Sequence, residues 1–225
     1  MTRILIIGHG RMGRLVEQFA AEHQCEVAGI VDIGQSIDPS LAFDVAIDFS
    51  TAGAVPGNVG ALAAAGRNVV IGTTGWQAHE GVLRSQVRAK GIGVLASANF
   101  SLGLNAFLLV VAEAAQRFAP YSDYGAWIHE AHHIKKVDAP SGTALLLQSA
   151  MVKAGYAGAI DISSTRAGSI PGTHTVGFDG PADSITLTHT VRDRGVFAHG
   201  ALEAARWLQG RRGWFSMQDV LGAQQ

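Results

Sequence analysis

Residues 4–13 read Ile-Leu-Ile-Ile-Gly-His-Gly-Arg-Met-Gly. The first four residues form a short branched run that ends at glycine, which predicts a strand buried on both faces. Apolar side chains then recur at helical spacing through residues 12–20. A GxGxxG loop between a strand and a helix is typical of a dinucleotide site. Gly8 permits the turn, Gly10 lets a pyrophosphate approach the backbone, and Gly13 allows the helix to pack closely on the strand.

The loop and the strand after it also supply charge for a dinucleotide. A helix that starts near Arg11 and Met12 offers free N–H groups and a partial positive charge to phosphates. Asp32 ends the next predicted strand, 19 residues after Gly13, where a carboxylate can accept both ribose hydroxyls. Ile33 and Gly34 follow without a cation for a 2′-phosphate. Charge therefore favours NADH over NADPH, unless Arg11 compensates from the loop.

Composition excludes several classes of protein. The chain has 225 residues, with 17 Lys and Arg against 18 Asp and Glu, so it lacks the basic excess of a general nucleic-acid binder. At 48% hydrophobic and 16% charged residues, it is too apolar to be disordered. The longest apolar run, residues 106–112, is far shorter than the ~20 residues of a membrane span. One cysteine, Cys25, excludes an internal disulfide, and we expect a cytoplasmic protein.

The order of predicted elements indicates an α/β fold with two domains. Through the first hundred residues, strands at 4–7, 26–31, 44–49, 68–71 and 92–96 alternate with helices at 12–20, 55–65 and 76–90. Such alternation predicts a Rossmann-like parallel sheet. Later strands, at 124–128, 160–163, 174–178 and 184–191, lie among helices at 104–118, 141–153 and 198–208. Three of these strands follow one another without a helix between them. This predicts a second, α+β domain with a mixed or antiparallel sheet.

Two further segments follow strands of the predicted parallel sheet. Gly72-Thr73-Thr74-Gly75 follows the fourth strand, and Ser97-Ala98-Asn99-Phe100 follows the fifth. In a doubly wound sheet, ligands bind beyond the carboxyl ends of the strands. The two segments are therefore either further cofactor contacts or ordinary strand-to-helix connections.

Three histidines lie close together at His129, His132 and His133. The run His-Glu-Ala-His-His matches HExxH, but that zinc motif works only on a helix, where both histidines share a face. Here a strand-like segment precedes it, so we expect no metal site. A solvated loop is the plainer interpretation of these histidines.

The residues after the histidines indicate a site for anions. Lys136 is a compact charge, and Ser141 is the predicted N-cap of a helix whose first N–H groups belong to Gly142 and Thr143. Together these groups make a corner that can bind a carboxylate. Histidine is the side chain best suited to donate a proton near neutral pH. Hydride transfer to a small substrate that bears carboxylates is the interpretation that combines both halves of the chain.

Several strings of residues resemble those of the dihydrodipicolinate reductase family. The resemblance extends from the glycine loop to the last twenty residues, and the string from His132 to Thr143 is highly specific. The matching strings are residues 130–133, 136–144, 72–75, 98–103, 166–168, 172–176 and 197–202.

The resemblance implies an activity and an organisation. The activity is NAD(P)H-dependent reduction of 4-hydroxy-tetrahydrodipicolinate, through dihydrodipicolinate, to tetrahydrodipicolinate in the diaminopimelate route to lysine. The organisation is a dinucleotide-binding domain of residues 1–101, completed by residues 195–225, and a substrate-binding and oligomerisation domain of residues 102–194. It also implies a cytoplasmic homotetramer whose domains close over bound ligands, so that the loop at 132–143 would meet the nicotinamide ring.

The resemblance also implies roles for residues. His132 matches the general acid and Lys136 the lysine required beside it. The positions that match substrate contacts are His133, Ser141, Gly142 and Thr143. The positions that match cofactor contacts are Gly8, Gly10, Arg11, Met12, Gly13, Asp32, Gly72, Thr73, Thr74, Ala98, Asn99 and Phe100.

The chain departs from the family at two places. Its glycine loop is one residue shorter than the commonest form, and Thr173 stands where many members carry glutamate. One alternative is another NAD(P)-dependent dehydrogenase of the same architecture, such as one that acts on aspartate. Another is a non-catalytic dinucleotide sensor, which would be expected to lose the proton donor or the lysine.

Overall fold

The computed structural model describes residues 1–38 and 40–222. Its strands are β1 Thr2–Ile7, β2 Cys25–Val31, β3 Val45–Asp48, β4 Asn68–Ile71, β5 Gly93–Ala96, β6 Gly125–His132, β7 Ile160–Arg166, β8 Thr173–Asp179, β9 Ser184–Thr190 and β10 Gly213–Phe215. Its α-helices are α1 Arg11–Phe19, α2 Val55–Ala64, α3 Glu80–Lys90, α4 Leu102–Phe118, α5 Gly142–Lys153, α6 Gly195–Leu208 and α7 Met217–Val220. The chain divides into unit 1, residues 1–102 with the described residues from 195 onward, and unit 2, residues 103–194.

Unit 1 is a six-stranded sheet in the order β10-β5-β4-β3-β1-β2, and every neighbouring pair is parallel. Apolar side chains of α1 and α6 pack on one face of this sheet, and those of α2 and α3 pack on the other. A parallel sheet with both faces covered needs continuous apolar strands, and residues 4–6 are fully buried. The predicted Rossmann-like domain is therefore confirmed.

The strand β10 is absent from the sequence-based prediction, because three residues carry too little pattern to identify a strand. Its place depends on Asn68, whose Nδ2 donates to the carbonyl of Leu208 at 2.8 Å and whose Oδ1 accepts from the N–H of Gly93 at 2.7 Å. One amide side chain thus ties the end of α6 to the sheet. The chain that follows pairs with β5 in parallel.

Unit 2 is a four-stranded sheet in the order β7-β6-β8-β9. β6 pairs with β7 in parallel and with β8 antiparallel, so the sheet is mixed, as predicted. Apolar side chains of α4 and α5 pack against one face of this sheet. Residues of β6 alternate between buried and more exposed positions, and the buried series ends at Glu130 and His132. The core of unit 2 therefore becomes polar at one end.

The structure corrects the interpretation of His129 and His132 as loop residues, whereas His133 lies beyond the strand. β6 extends through His132, so His129 and His132 lie on a strand, and His132 is only 9% exposed. The two histidines of the HExxH pattern are His129 and His133, and an extended chain through His132 does not give them the shared helix face that the motif needs. The strand can continue through these polar residues because β7 and β8 bring partners to them.

Helix α6 packs unusually closely on the chain of unit 1. A Cβ built at Gly200 would lie 1.7 Å from the backbone oxygen of Phe100. We predict that Gly200→Ala lowers the free energy of unfolding by about 1–3 kcal/mol, because backbone cannot move aside as a side chain can. In Gly60→Ala, the matched control within α2, the added Cβ meets open space. That substitution should raise stability by up to about 1 kcal/mol. Urea unfolding of both variants measures the difference, and equal effects would contradict the close contact.

Candidate active site

In unit 1, the glycine loop has the geometry that its sequence predicts. Gly8 has a φ of +88°, and a Cβ there would lie 2.5 Å from the backbone oxygen of Phe49. A Cβ at Gly13 would lie 2.1 Å from the backbone oxygen of Gly8. A Cβ at Gly10 would meet nothing within 4 Å. Two glycines therefore allow close packing, whereas the third leaves open space in front of the backbone.

Gly10 is the N-cap of α1, and its helix has no side-chain cap. Arg11, the first residue of α1, is exposed, whereas Met12 packs against the core. The first N–H groups of α1 remain available to an anion. The structure therefore forms the uncapped helix N-terminus on which the prediction depends, and phosphate binding there stays a prediction.

Asp32 lies directly over the glycine loop. Its Oδ1 accepts from the N–H of Ile33 at 2.9 Å and from the N–H of His9 at 3.4 Å. These two backbone hydrogen bonds lower the pKa of Asp32, and the charges of His9 and Arg14 lower it further. The carboxylate is exposed and ionised. It lines a cavity of about 550 Å³ together with Gly8 and Gly10.

The other predicted cofactor residues lie elsewhere in unit 1. Thr73 and Ala98 line a separate cavity of about 380 Å³. The hydroxyl of Thr73 donates to Asp48 Oδ1 at 3.0 Å, Asn99 Oδ1 accepts from the N–H of Ser101 at 2.9 Å, and Thr74 is exposed.

Two of these residues are constrained by the core. Phe100 is 2% exposed and packs within it, so a ligand contact at Phe100 would involve its backbone. Gly72 has no room for a side chain, because a Cβ there would lie 2.1 Å from the ring of Phe49.

In unit 2, Glu130 and His132 form a buried pair with an arginine. Glu130 is fully buried, and Nδ1 of His132 lies 2.5 Å from its Oε2. Arg166 donates from both terminal nitrogens to the two oxygens of Glu130, at 2.8 and 2.7 Å. Burial alone would raise the pKa of Glu130, but hydrogen bonds from Arg166, Ser164 and His132 lower it to about 2. The carboxylate is therefore ionised.

The backbone of Gly172 lies against the other side of the His132 ring. A Cβ built at Gly172 would lie 3.2 Å from Nε2 of His132, and Gly172 has a φ of +144°. Any other residue would place a side chain against this nitrogen. Nδ1 of His132 is thus held by Glu130, whereas Nε2 faces the backbone of Gly172.

Ser141 joins this pair to the start of α5. Its N–H donates to Oε1 of Glu130 at 3.2 Å, and its hydroxyl accepts from the N–H of Ala144 at 3.2 Å. The predicted N-cap is confirmed. The same hydroxyl lies 3.0 Å from Nε2 of His174, which is 4% exposed.

Beyond the cap, Gly142 is exposed and Thr143 is half-buried, so the first N–H groups of α5 lie at the surface of unit 2. Lys136 lies in the loop between β6 and α5. Its Nζ donates to both carboxylate oxygens of Asp138, at 2.7 and 2.9 Å.

Asp138 is therefore the present partner of the predicted carboxylate-binding groups. The Lys136 ammonium lowers the pKa of Asp138 most, and the N–H of Gly142 contributes to the same shift. An exposed pair of this kind contributes little to stability and exchanges readily. His133 lies just beyond the end of β6 and is half-buried.

Among the described residues, one group has potential metal ligands close enough together to hold a single ion. Ligand atoms of Glu130, His132 and His174 all lie within 4.8 Å of one another. Both oxygens of Glu130 already accept from Arg166. A metal ion would therefore have to displace a guanidinium group that is itself positively charged. The donors fit a hydrogen-bonded site better than a metal site.

Sequence reasoning assigned no role to Glu130, Arg166 or His174. A period-two count from Ile128 marks Glu130 and His132 as inward positions, and that signal was available. Arg166 lies 36 residues from Glu130, and only the strand pairing brings them together. Thr173 pairs its hydroxyl with that of Thr190 on β9 at 3.2 Å.

His174 should stay neutral in the folded protein. Burial, and next to it the charge of the nearby His132, lower its pKa to about 4. The unfolded chain, with a histidine pKa of about 6.5, binds more protons between these values. The contribution of neutral His174 to the free energy of unfolding is therefore fully present above about pH 6.5. It is lost as pH falls towards about 4, by on the order of 2–3 kcal/mol.

Urea unfolding across this range should show a weaker pH dependence for His174→Gln than for the wild type. His129→Gln, on the other face of β6, is the control. An NMR titration of His174 centred near the unperturbed histidine pKa would contradict the prediction.

Comparison with known proteins connects these sites to a family. A family model described as the N-terminus of dihydrodipicolinate reductase matches residues 2–100, and one described as the C-terminus matches residues 103–221. A "4-hydroxy-tetrahydrodipicolinate reductase" of Rhizobium rhizogenes is 39% identical over 240 residues, with 95% of this chain and 86% of the relative covered. That of Christiangramia forsetii is 34% identical over 231 residues, with 97% of both chains covered.

Solved structures share the fold. A dipicolinate-bound dihydrodipicolinate reductase from Paenisporosarcina sp. TG-14 superposes with a TM-score of 0.85 at 21% identity, with 97% of this chain and 98% of that chain covered. An aspartate dehydrogenase from Thermotoga maritima reaches a TM-score of 0.51 at 10% identity, with 92% and 98% covered. At these identities the likeness concerns the fold alone. No helix among the described residues combines the length and the apolar character needed to cross a bilayer.

The architecture is shared with other dehydrogenases, but the matched family models cover both units from residue 2 to residue 221 with a gap of two residues. The chain therefore belongs to the dihydrodipicolinate reductase family.

Proposed function

We propose that this protein reduces 4-hydroxy-tetrahydrodipicolinate, through dihydrodipicolinate, to tetrahydrodipicolinate with NADH or NADPH. The reaction belongs to the diaminopimelate route to lysine. The observation that carries the proposal is in unit 2, where Glu130 holds Nδ1 of His132 and also the capped N-terminus of α5, and Nε2 of His132 faces the bare backbone of Gly172. A histidine of this kind suits a general acid, and the first N–H groups of a helix suit a carboxylate.

The residues of unit 1 fit a nicotinamide cofactor. The uncapped N-terminus of α1 and the open space at Gly10 suit its pyrophosphate, and the ionised Asp32 suits a ribose diol. A cofactor bound there supplies hydride. The residues proposed to hold it are Gly8, Gly10, Arg11, Met12, Gly13, Asp32, Gly72, Thr73, Thr74, Ala98, Asn99 and Phe100. The charge of Asp32 disfavours a 2′-phosphate, so NADH is favoured, although the field of the nearby Arg14 opposes this preference.

His132 completes the reduction of the substrate. Loss of water from the hydroxy compound leaves a conjugated cyclic imine, and addition of hydride to it leaves an electron-rich enamine. One proton then completes the reduction, and we assign its donation to Nε2 of His132. A positioned general acid contributes roughly 10²–10⁴ in rate.

The substrate carboxylates need donors, and the start of α5 offers several of them. We assign them to Lys136, His133, Ser141, Gly142 and Thr143, with Ser141 acting through its cap of the helix. Asp138 now accepts from Lys136, and a substrate carboxylate would take its place. A dicarboxylate can engage more of these donors than a monocarboxylate, which explains the choice of substrate class.

We also propose that the protein acts in the cytoplasm as a homotetramer. The cytoplasm supplies the reduced nicotinamide cofactor, and the single Cys25 is free. Most residues of β9 are exposed, including Ile185 at 46%, so the sheet of unit 2 has surface that copies of the chain could cover. Analytical ultracentrifugation tests this assembly, and a monomer at micromolar concentration would reject it.

The decisive experiment generates the substrate in situ with the upstream synthase and follows oxidation of NADH and NADPH separately. Turnover with at least one cofactor is expected, with the higher kcat/KM for NADH. Absence of turnover with both would reject the proposed function. Oxidation of aspartate with NAD⁺ instead would select the alternative dehydrogenase.

Lys136→Ala should lower kcat/KM by roughly 10–100-fold, because a charged donor to the substrate is lost. The dissociation constant for NADH, measured by fluorescence, should stay nearly unchanged, because Lys136 belongs to unit 2. Lys135→Ala removes the adjacent exposed lysine and is the matched control. Loss of NADH binding in Lys136→Ala would show that the lysine acts on the cofactor side.

Gly172→Ala should lower kcat on the order of 10²-fold, because the new methyl group would lie against the proton-donating nitrogen of His132. Gly168→Ala is the control, since its φ of +46° is also positive but its Cβ would meet open space. Both variants carry backbone strain, so only their difference reports on His132. Equal activities would remove Nε2 from the acid role.

A further inference from the structure

Glu130 occupies a position that the fold would normally give to an apolar residue. It follows Ala126 and Ile128 in the buried series of β6, and its own exposed fraction is zero. It pairs with Ser164 on β7 and with His174 on β8, so its neighbours across the sheet are polar as well. A carboxylate in such a place is costly unless every oxygen is matched, which calls for an explanation beyond packing.

The partners of Glu130 come from three different segments. Arg166 on β7 makes a two-pronged contact, His132 lies two residues along β6, and Ser141 reaches back from the cap of α5. Arg166 also donates to the backbone oxygen of Asp138, at 2.5 Å, within the loop that carries Lys136. One carboxylate thus contacts both the proposed acid and the start of the helix that is proposed to bind substrate.

The contact with Glu130 decides which nitrogen of His132 carries the transferable proton. An ionised carboxylate only accepts hydrogen bonds, so Nδ1 must carry a proton and donate it. Neutral His132 then has its lone pair on Nε2, and the protonated ring carries its second proton there. Nε2 is also the nitrogen that faces the bare backbone of Gly172.

Burial and the positive charges around His132 oppose protonation of its ring, whereas Glu130 favours it. Burial lowers the pKa of His132, and the charges of Lys136 and Arg166 lower it further. His174, the other titratable ring beside it, is itself held neutral by burial. The hydrogen bond and the charge of Glu130 raise the pKa of His132 against these effects.

We propose that Glu130 is a positioning residue for the reaction: its carboxylate, held by Arg166, orients His132 so that Nε2 presents the proton, and the same carboxylate fixes the cap of α5. This inference rests on the proposed function and deepens it. Glu130 itself acts through His132 and Ser141 and does not contact the substrate.

The test is Glu130→Gln, with Glu113→Gln as the matched control. Glu113 is an exposed glutamate of unit 2 that pairs with Arg117 at 2.7 Å. In Glu130→Gln, kcat should fall by roughly 10–100-fold, and the pH above which activity declines should move down by about one unit. The direction follows because His132 without the negative charge of Glu130 has a lower pKa and loses its proton at lower pH. Affinity for NADH should stay within about twofold of the wild type.

A lower kcat with an unmoved pH profile would show a merely structural role and would overturn the proposal. So would wild-type kcat in the variant. If Glu130→Gln fails to fold, nitrogen-15 NMR of the wild-type histidines still decides the question. The proposal expects neutral His132 to carry its proton on Nδ1, and an Nε2–H tautomer would overturn it. This measurement needs no turnover, so it stands even if the proposed substrate proves wrong.

Discussion

The polar end of unit 2 depends on the ion pair between Glu130 and Arg166. A fully buried carboxylate without a partner would cost several kcal/mol, so β6 could not end in these polar residues if Arg166 were absent. The parallel register of β6 and β7 places Arg166 directly opposite His132, two residues from the position opposite Glu130. A slip of one residue would turn Glu130 and His132 to the other face and separate them from the core.

The ion pair also divides the candidate site into a fixed part and an exchangeable part. Glu130, Arg166, His132 and Ser141 are joined by buried hydrogen bonds, which are strong in a low-dielectric interior and hold one geometry. The Lys136–Asp138 pair lies at the surface, where an ion pair is worth at most about 1 kcal/mol. This arrangement keeps His132 in place while Lys136 can change partners.

Most of the fold was predictable because unit 1 is built from local signals. Apolar runs that end in glycine identify β1 and its loop, and helical periodicity identifies α1. Prediction failed where the pattern was short or polar. β10 has three residues and is positioned by the side chain of Asn68, and β6 continues through polar residues that resemble a loop until their partners are known.

The sequence by itself determined the parallel-sheet domain, the glycine loop with Asp32, the cap at Ser141 and the family to which the chain belongs. Each of these features depends on residues that are near one another in the chain, so their spacing in the sequence is enough to predict it. Only the tertiary structure decided that Glu130, Arg166 and His174 surround His132 and that the backbone of Gly172 faces its Nε2. These residues lie on three strands and one loop, which only the pairing of the strands in a mixed sheet brings together. That pairing gives the buried carboxylate of Glu130 its partners, and it places Glu130 at one ring nitrogen of His132 and Gly172 at the other.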